Sequence, residues 1–232
     1  MTVIVKRLPG RPPDEALQQR RREAILAEAA RVFAKHGFTA TDVQWIADAL
    51  KISKGTVYRY FPTKEKLFLC AVERGIGRLR EHIETARRGL TDKIEEIRVG
   101  VVAYLRFFKK NPELVELFIQ ERAEFKDRQR PLYFRHRDLR RGPWREYLAK
   151  LMAEGRIRPM PVERVQDVLG DVLYGTMFTN HFAGRDKPFD AQAQDILDVV
   201  FNGILSDKER KGVCGRVEIS TGTNHGKGRN SC

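Results

Sequence analysis

An all-α protein is expected from three features of this sequence. Apolar residues recur with helical spacing from about residue 15 to residue 206, and the breaks between these runs fall at proline or glycine. The one stretch with strand character, residues 217–220, is too isolated to pair. Within the helical part, residues 37–67 (GFTATDVQWIADALKISKGTVYRYFPTKEKL) spell two short helices joined by a tight turn.

The elements follow in order. Residues 1–14 hold Lys6, Arg7, Gly10, Arg11, Pro12 and Pro13, a basic arm too polar and proline-rich to pack. Such an arm can enter a minor groove, and Gly10-Arg11-Pro12 resembles the core of the AT-hook motif. The first helix spans about 15–36. Its buried stripe is Ile25, Ala29, Val32 and Phe33, while Arg20, Arg21 and Arg22 suit a phosphate backbone. Gly37 closes it with a left-handed cap after the cations Lys35 and His36. Thr41 is expected to cap the second helix, with Gln44 completing a capping box. Val43, Ile46, Ala47 and Leu50 give that helix one apolar face. Ser53 caps the third, Lys54 to Phe61, before Pro62 stops it.

The third helix is suited to DNA. Its start is thin, with Gly55 and Thr56, so its backbone can approach base edges in a groove about 12 Å wide. Lys54 can donate to a guanine edge, the Thr56 methyl can touch a thymine methyl, and Tyr58, Arg59 and Tyr60 can reach flanking phosphates. Val57 and Phe61 point to the core. Thr63 caps the next helix, whose first residue, Lys64, joins the exposed N–H groups there to form an anion site.

These residues closely resemble the TetR/AcrR family of regulators over about residues 20–70: Thr41, Ile46-Ala47, Ser53-Lys54-Gly55-Thr56-Val57-Tyr58-Arg59-Tyr60-Phe61 and Lys64-Glu65-Lys66-Leu67. The resemblance implies that Gln44, Lys54, Thr56 and Arg59 lie near bases while Thr41, Tyr58, Tyr60 and Lys64 hold the backbone. Gln44 stays open between capping and base contact, and Tyr60 between phosphate and core. Lys51 departs from the pattern, since the family commonly has glycine there; a non-glycine must take a positive φ or a different turn.

Beyond Lys64, helices are expected near 63–89, 92–110, 112–125, 131–154, 161–184 and 188–206. Pro112 and Pro161 mark starts, and Gly142-Pro143 threatens a kink. The last two helices are apolar on two sides. Val165, Leu169, Val172 and Thr176 form one stripe of the first, and Ile196, Val199, Val200 and Gly203 one face of the second, more surface than a small bundle hides. A second subunit is the simplest cover, giving a four-helix homodimer interface and two recognition helices about one DNA turn apart.

The middle helices are rich in aromatics. Such a stripe is read first as core; if it holds a pocket, as the resemblance implies, Phe107, Phe118, Trp144, Tyr147, Met177, Phe178 and His181 are its candidate lining, for a small lipophilic or amphipathic effector with one polar contact. His181 alone reads more simply as a satisfied core or interface residue. Lys126, Arg128, Arg130, Arg135, Arg137, Arg140, Arg141 and Arg145 read as a solvated face, with an anionic effector such as an acyl thioester as the alternative. His136-Arg137-Asp138-Leu139 mimics a kinase catalytic loop, but Pro143 stands where its metal-binding asparagine belongs.

The charge is consistent with a polyanion partner. Of a net +13 over 232 residues, +6 lies in residues 1–70. The cysteines Cys70, Cys214 and Cys232 have neither metal nor redox spacing, and the five histidines have none either, so no metal, cofactor or enzyme chemistry is expected. No apolar run reaches membrane-spanning length and no signal-peptide pattern opens the chain, which points to a reduced cytoplasmic setting. The organisation expected is a flexible basic arm (1–14), a helix-turn-helix DNA-binding domain (15–62), a helical effector-binding and dimerisation domain (63–206) and a disordered tail (207–232). The leading function is a homodimeric repressor on a palindromic double-stranded operator, released by an effector. The alternative is an effector-independent regulator or architectural protein.

Overall fold

In a computed structural model that describes residues 15–185 and 187–202, ten helices and no strand are found among the described residues. The expectations for the arm, the tail, Gly203 and the end of the last helix lie outside them.

Helix α1 (Glu15–His36) buries Ile25, Leu26, Ala29, Val32 and Phe33, the expected stripe with one leucine added. Gly37 ends it at φ +83, a conformation open to glycine at little cost. The cap of α2 (Val43–Ala49) differs from expectation. Asp42, with extended backbone, is the N-cap and accepts from the Gln44 N–H at 2.8 Å. Thr41 is turned inward, 3% exposed, and its hydroxyl donates to the Gly37 carbonyl at 2.6 Å. No capping box forms, because Gln44 donates forward to Asp48 at 2.6 Å. An aspartate accepts more strongly than a threonine, and the burial of Thr41 removes its hydroxyl from the helix end.

Lys51 holds the α2–α3 turn at φ +53, so the chain keeps the left-handed turn without the glycine. Ser53 caps α3 (Lys54–Tyr60), accepting from the Thr56 N–H at 3.1 Å. Val57 is wholly buried and Phe61 1% exposed, which docks α3 on α1 and α2. Thr63 caps α4 (Lys64–Arg87), accepting from the Lys66 N–H at 3.0 Å.

The remaining helices are α5 (Lys93–Lys110), α6 (Pro112–Glu124), α7 (Leu132–Leu139), α8 (Arg141–Ala153), α9 (Val162–Ala183) and α10 (Phe189–Asn202). Pro112 occupies the first turn of α6, where its missing N–H costs nothing. The helix expected over 131–154 is instead two, parted at Arg140. Pro143 lacks an N–H, and its ring would collide with the Leu139 carbonyl four residues back, so the break falls one turn ahead of the proline.

The apolar core runs without interruption from Ile25 in α1 to Leu197 in α10. At the junction between α1–α3 and the helices that follow, four phenylalanines interlock. Phe38 lies 5.3 Å from Phe68 and 4.9 Å from Phe125, and Phe33 lies 5.2 Å from Phe68. At Gly75, α4 and α6 approach so closely that an added Cβ would stand 2.4 Å from a Leu114 methyl.

The cationic stretch 126–145 is more than a solvated face. Arg137 pairs with Asp171 at 2.8 Å, Arg140 with Glu84 at 2.8 Å and Arg141 with Asp167 at 2.7 Å, while Arg145 meets Glu163. These pairs tie α7 and α8 to α4 and α9, which sequence spacing alone could not reveal.

Candidate nucleic-acid interface

Helix α3 presents Gly55, Tyr58 and Arg59 to solvent on the side opposite buried Val57. Tyr58 is 37% exposed. Its hydroxyl makes no hydrogen bond among the described residues, so it is free to donate. Thr56, Tyr60 and Lys54 are partly covered; the Thr56 hydroxyl meets that of Ser53 at 2.9 Å, and the Arg59 guanidinium lies 5.8 Å from the Tyr60 ring.

Lys54 reaches back to α2, where its ammonium donates to Asp42 at 2.7 Å. Asp42 is held below the usual carboxylate range first by the Gln44 N–H and then by Lys54, and Lys54 is raised by Asp42. The pair neutralises the carboxylate beside the start of α3. Exposed as it is, it is worth little, so Lys54 can exchange Asp42 for a base edge or a phosphate at low cost.

Lys64 is more deeply engaged. Its ammonium donates to the carbonyls of Thr39 at 3.0 Å and Thr41 at 3.1 Å and sits 4.8 Å from the centre of the Phe38 ring. The expected anion anchor is thus also a clamp on the α1–α2 turn, with one of its three protons left over. Gln44 shares α2 with Trp45, which is 45% exposed and packs on His36 at 4.9 Å.

The expected site residues thus fall into two groups. Gln44, Lys54, Gly55, Thr56, Tyr58, Arg59 and Tyr60 share one surface built from α2 and α3, whereas Thr41 contributes its backbone and Lys64 lies at the turn beneath. Sequence reasoning missed Asp42 and Trp45. Asp42 had a legible signal, because aspartate is as good an N-cap as the threonine beside it.

The seven candidate pocket residues do not share one cavity: Met177 and His181 line one of about 230 Å³, while Phe107 and Phe118 border two others. Phe107, Phe118 and Met177 are 4%, 5% and 2% exposed, within the core. Tyr147 donates to the Lys93 carbonyl, and His181 is bound to Glu116 at 2.6 Å. Phe178 packs against Tyr174 at 4.9 Å. Only Trp144 borders the most apolar cavity, about 180 Å³, which Ile97, Leu148, Val165, Leu169 and Phe201 also line and which Arg137, Arg140 and Arg141 flank. Of the residues expected at a dimer interface, Val165 and Leu169 therefore face this cavity. Ile196 packs on the core, Thr176 and Val200 are partly covered, and Val172 and Val199 are 36% and 52% exposed. With Val168 at 49% and Phe182 at 69%, they form an outward apolar face on α9 and α10.

Residues 25–71 match the family described as bacterial regulatory proteins, tetR family. The chain is 33% identical over 103 residues, 44% of its length, to the uncharacterized HTH-type transcriptional regulator YerO of Bacillus subtilis, covering 36% of that protein. It is 30% identical over 102 residues, 44% of its length, to the HTH-type transcriptional repressor NicS of Pseudomonas putida, covering 48% of it. It is 29% identical over 100 residues, 43% of its length, to the HTH-type transcriptional activator FasR of Mycolicibacterium smegmatis, covering 46% of it. The match therefore spans less than half the length of each of these relatives. The fold likeness reaches further: the fatty acid degradation regulator FadR from Bacillus halodurans superposes with a TM-score of 0.67 at 18% identity, over 79% of this chain and 96% of that one. The TetR family regulator PfmR from Thermus thermophilus superposes with a TM-score of 0.62 at 23% identity, over 78% and 99%. Residues 25–71 thus match the tetR family of bacterial regulatory proteins, and the all-helical body that carries them has the fold of a TetR family regulator.

Proposed function

We propose that this chain binds double-stranded operator DNA as a homodimer, inserting α3 into the major groove, and that a small effector taken up by the helical body releases it. The observation that carries the reading is the surface of α2 and α3. There Tyr58 and Arg59 stand exposed beside a bare Gly55, and the carboxylate at the start of α3, Asp42, is already neutralised by Lys54.

Residues 15–62 serve as the DNA-binding unit and 63–202 as the effector-binding and dimerising one, working in the cytoplasm. The outward apolar face of α9 and α10 supports the dimer, since a monomer gains nothing by leaving valines and phenylalanines in water. The apolar cavity beside Trp144 supports a lipophilic effector, and the arginines flanking it favour one that carries negative charge. Stearoyl-CoA, bound by the FadR of Bacillus subtilis, a fold neighbour with a TM-score of 0.63 at 18% identity over 79% of this chain and 99% of that one, is a molecule of this kind. Release on effector binding makes repression the mode of action. Selection of duplexes from a randomised pool tests the reading: the expected outcome is a palindrome with half-sites about one helical turn apart. Recovery of unrelated sequences would refute it and favour an architectural, effector-independent protein.

A further inference from the structure

A second cavity, about 490 Å³, opens between the end of α6, the 125–131 loop, α7 and α9, and it differs in chemistry from the one beside Trp144. Its wall is aromatic. Phe118 lies 5.4 Å from Tyr133, and Tyr133 and Phe134 lie 4.8 and 4.9 Å from Tyr174, ring against ring. At its inner side is Glu121, 2% exposed. One carboxylate oxygen accepts from the Leu132 N–H at 2.9 Å; the other, Oε2, is buried without a hydrogen-bond partner. At its outer side are Arg122 and Lys126, both exposed, with no carboxylate within ion-pair distance among the described residues. Arg128 completes the rim and lies 3.8 Å from Glu65, in the first turn of α4.

An acceptor without a donor inside, free cations outside and flat apolar walls between them specify complementary chemistry. A negative group is drawn to the rim by the free cations, while the unpartnered carboxyl oxygen within takes a hydrogen-bonding hydroxyl or amine. We propose that this cavity is a ligand site for a planar aromatic anion that carries an O–H or N–H donor at the end opposite its charge. Occupancy recruits the rim cations, and Arg128 then leaves Glu65, freeing the loop from the first turn of α4. That output rests on the DNA-binding reading above; the binding site itself does not.

The test uses the full chain without DNA, titrated by calorimetry with 4-hydroxybenzoate, with benzoate, which lacks the donor, and with phenol, which lacks the charge. The expected result is that 4-hydroxybenzoate binds about tenfold or more tighter than either, since a site built around a hydroxyl rejects the analogue without it. The double substitution Arg122→Ala/Lys126→Ala, on exposed residues that leave the fold intact, should weaken both acids by about tenfold and leave phenol unchanged. Glu121→Gln keeps an acceptor for the Leu132 N–H but turns an amide donor toward the ligand, to which a phenol oxygen bonds less strongly than its O–H bonds to a carboxyl oxygen, so the preference for 4-hydroxybenzoate over benzoate should shrink. Equal binding of the three compounds, no saturable binding of 4-hydroxybenzoate, or affinities indifferent to the rim substitutions would overturn the proposal. The rim variant decides the matter even if Glu121→Gln fails to fold. A wild-type chain that binds 4-hydroxybenzoate but, without ligand, binds no duplex would sink the operator reading and leave the site standing.

Discussion

Lys64 and Tyr58 carry different burdens at the DNA surface, and substitution can separate them. The Lys64 ammonium closes two turn carbonyls and covers the Phe38 ring, so Lys64→Ala should cost the fold about 1–2 kcal/mol as well as weakening every duplex. The Tyr58 hydroxyl makes no hydrogen bond among the described residues. Tyr58→Phe should leave the melting temperature within a degree or so and still weaken DNA binding several-fold, an effect of about 1 kcal/mol. Thermal melts read beside duplex titrations check both; a Tyr58→Phe chain that binds every duplex like the wild type would remove Tyr58 from the contact set. What the sequence made legible at this scale was residue type and rough face, as for Gly55, Val57 and Phe61. The partner of each polar group was not legible: Thr41 and Asp42 are adjacent caps of similar quality, and only the inward turn of Thr41 decides between them.

Helix α6 is where the body grips α1 and the turn that follows it. Gln120 donates to the Phe33 carbonyl at 2.8 Å, Glu124 accepts from the Thr39 hydroxyl at 2.9 Å, and Phe125 packs on Phe38 and Phe68. The helix is seated against α4 at Gly75, where Leu114 fills the space a side chain would take. Gly75→Ala should therefore destabilise the chain by about 1–3 kcal/mol, and Leu114→Ala in the same chain should return part of that loss. Urea unfolding of the single and double variants measures it. Strict additivity of the two losses would mean that the glycine contact does not seat α6. The sequence revealed where most helices begin and end, because proline, glycine and capping residues mark their ends locally. It did not reveal that α6 spans the junction, since Phe38 and Phe125 are far apart in the chain and their meeting is a property of packing. The break at Arg140 was displaced for a local reason, the clash a proline makes one turn behind itself.

At the scale of the whole molecule, the proposed reading of a palindrome needs two copies of α3 at a fixed separation, and the outward face of α9 and α10 is the surface on which a second copy could set it. Val172 and Val199 lie on that face, and neither is needed to fill the core. Val172→Glu should leave the helical content intact, shift the chain to a monomer in analytical ultracentrifugation and lower affinity for a two-half-site duplex about tenfold or more. A variant that stayed dimeric would move the interface elsewhere. The paired faces of these helices were legible as excess apolar surface. Which stripe faces the chain's own cavity and which faces outward was not, because Val165 and Leu169 differ from Val168 and Val172 only by the rotation α9 adopts against α8.

If α3 reads base sequence, wild type and Lys54→Ala must differ in how they separate the selected duplex from a scrambled duplex of equal length, titrated at the same salt. The wild type should prefer the selected duplex by about a hundredfold or more, and Lys54→Ala should lose about tenfold of that preference while keeping its affinity for scrambled DNA within a few-fold. Equal affinity of the wild type for both duplexes would mean that α3 does not read base sequence.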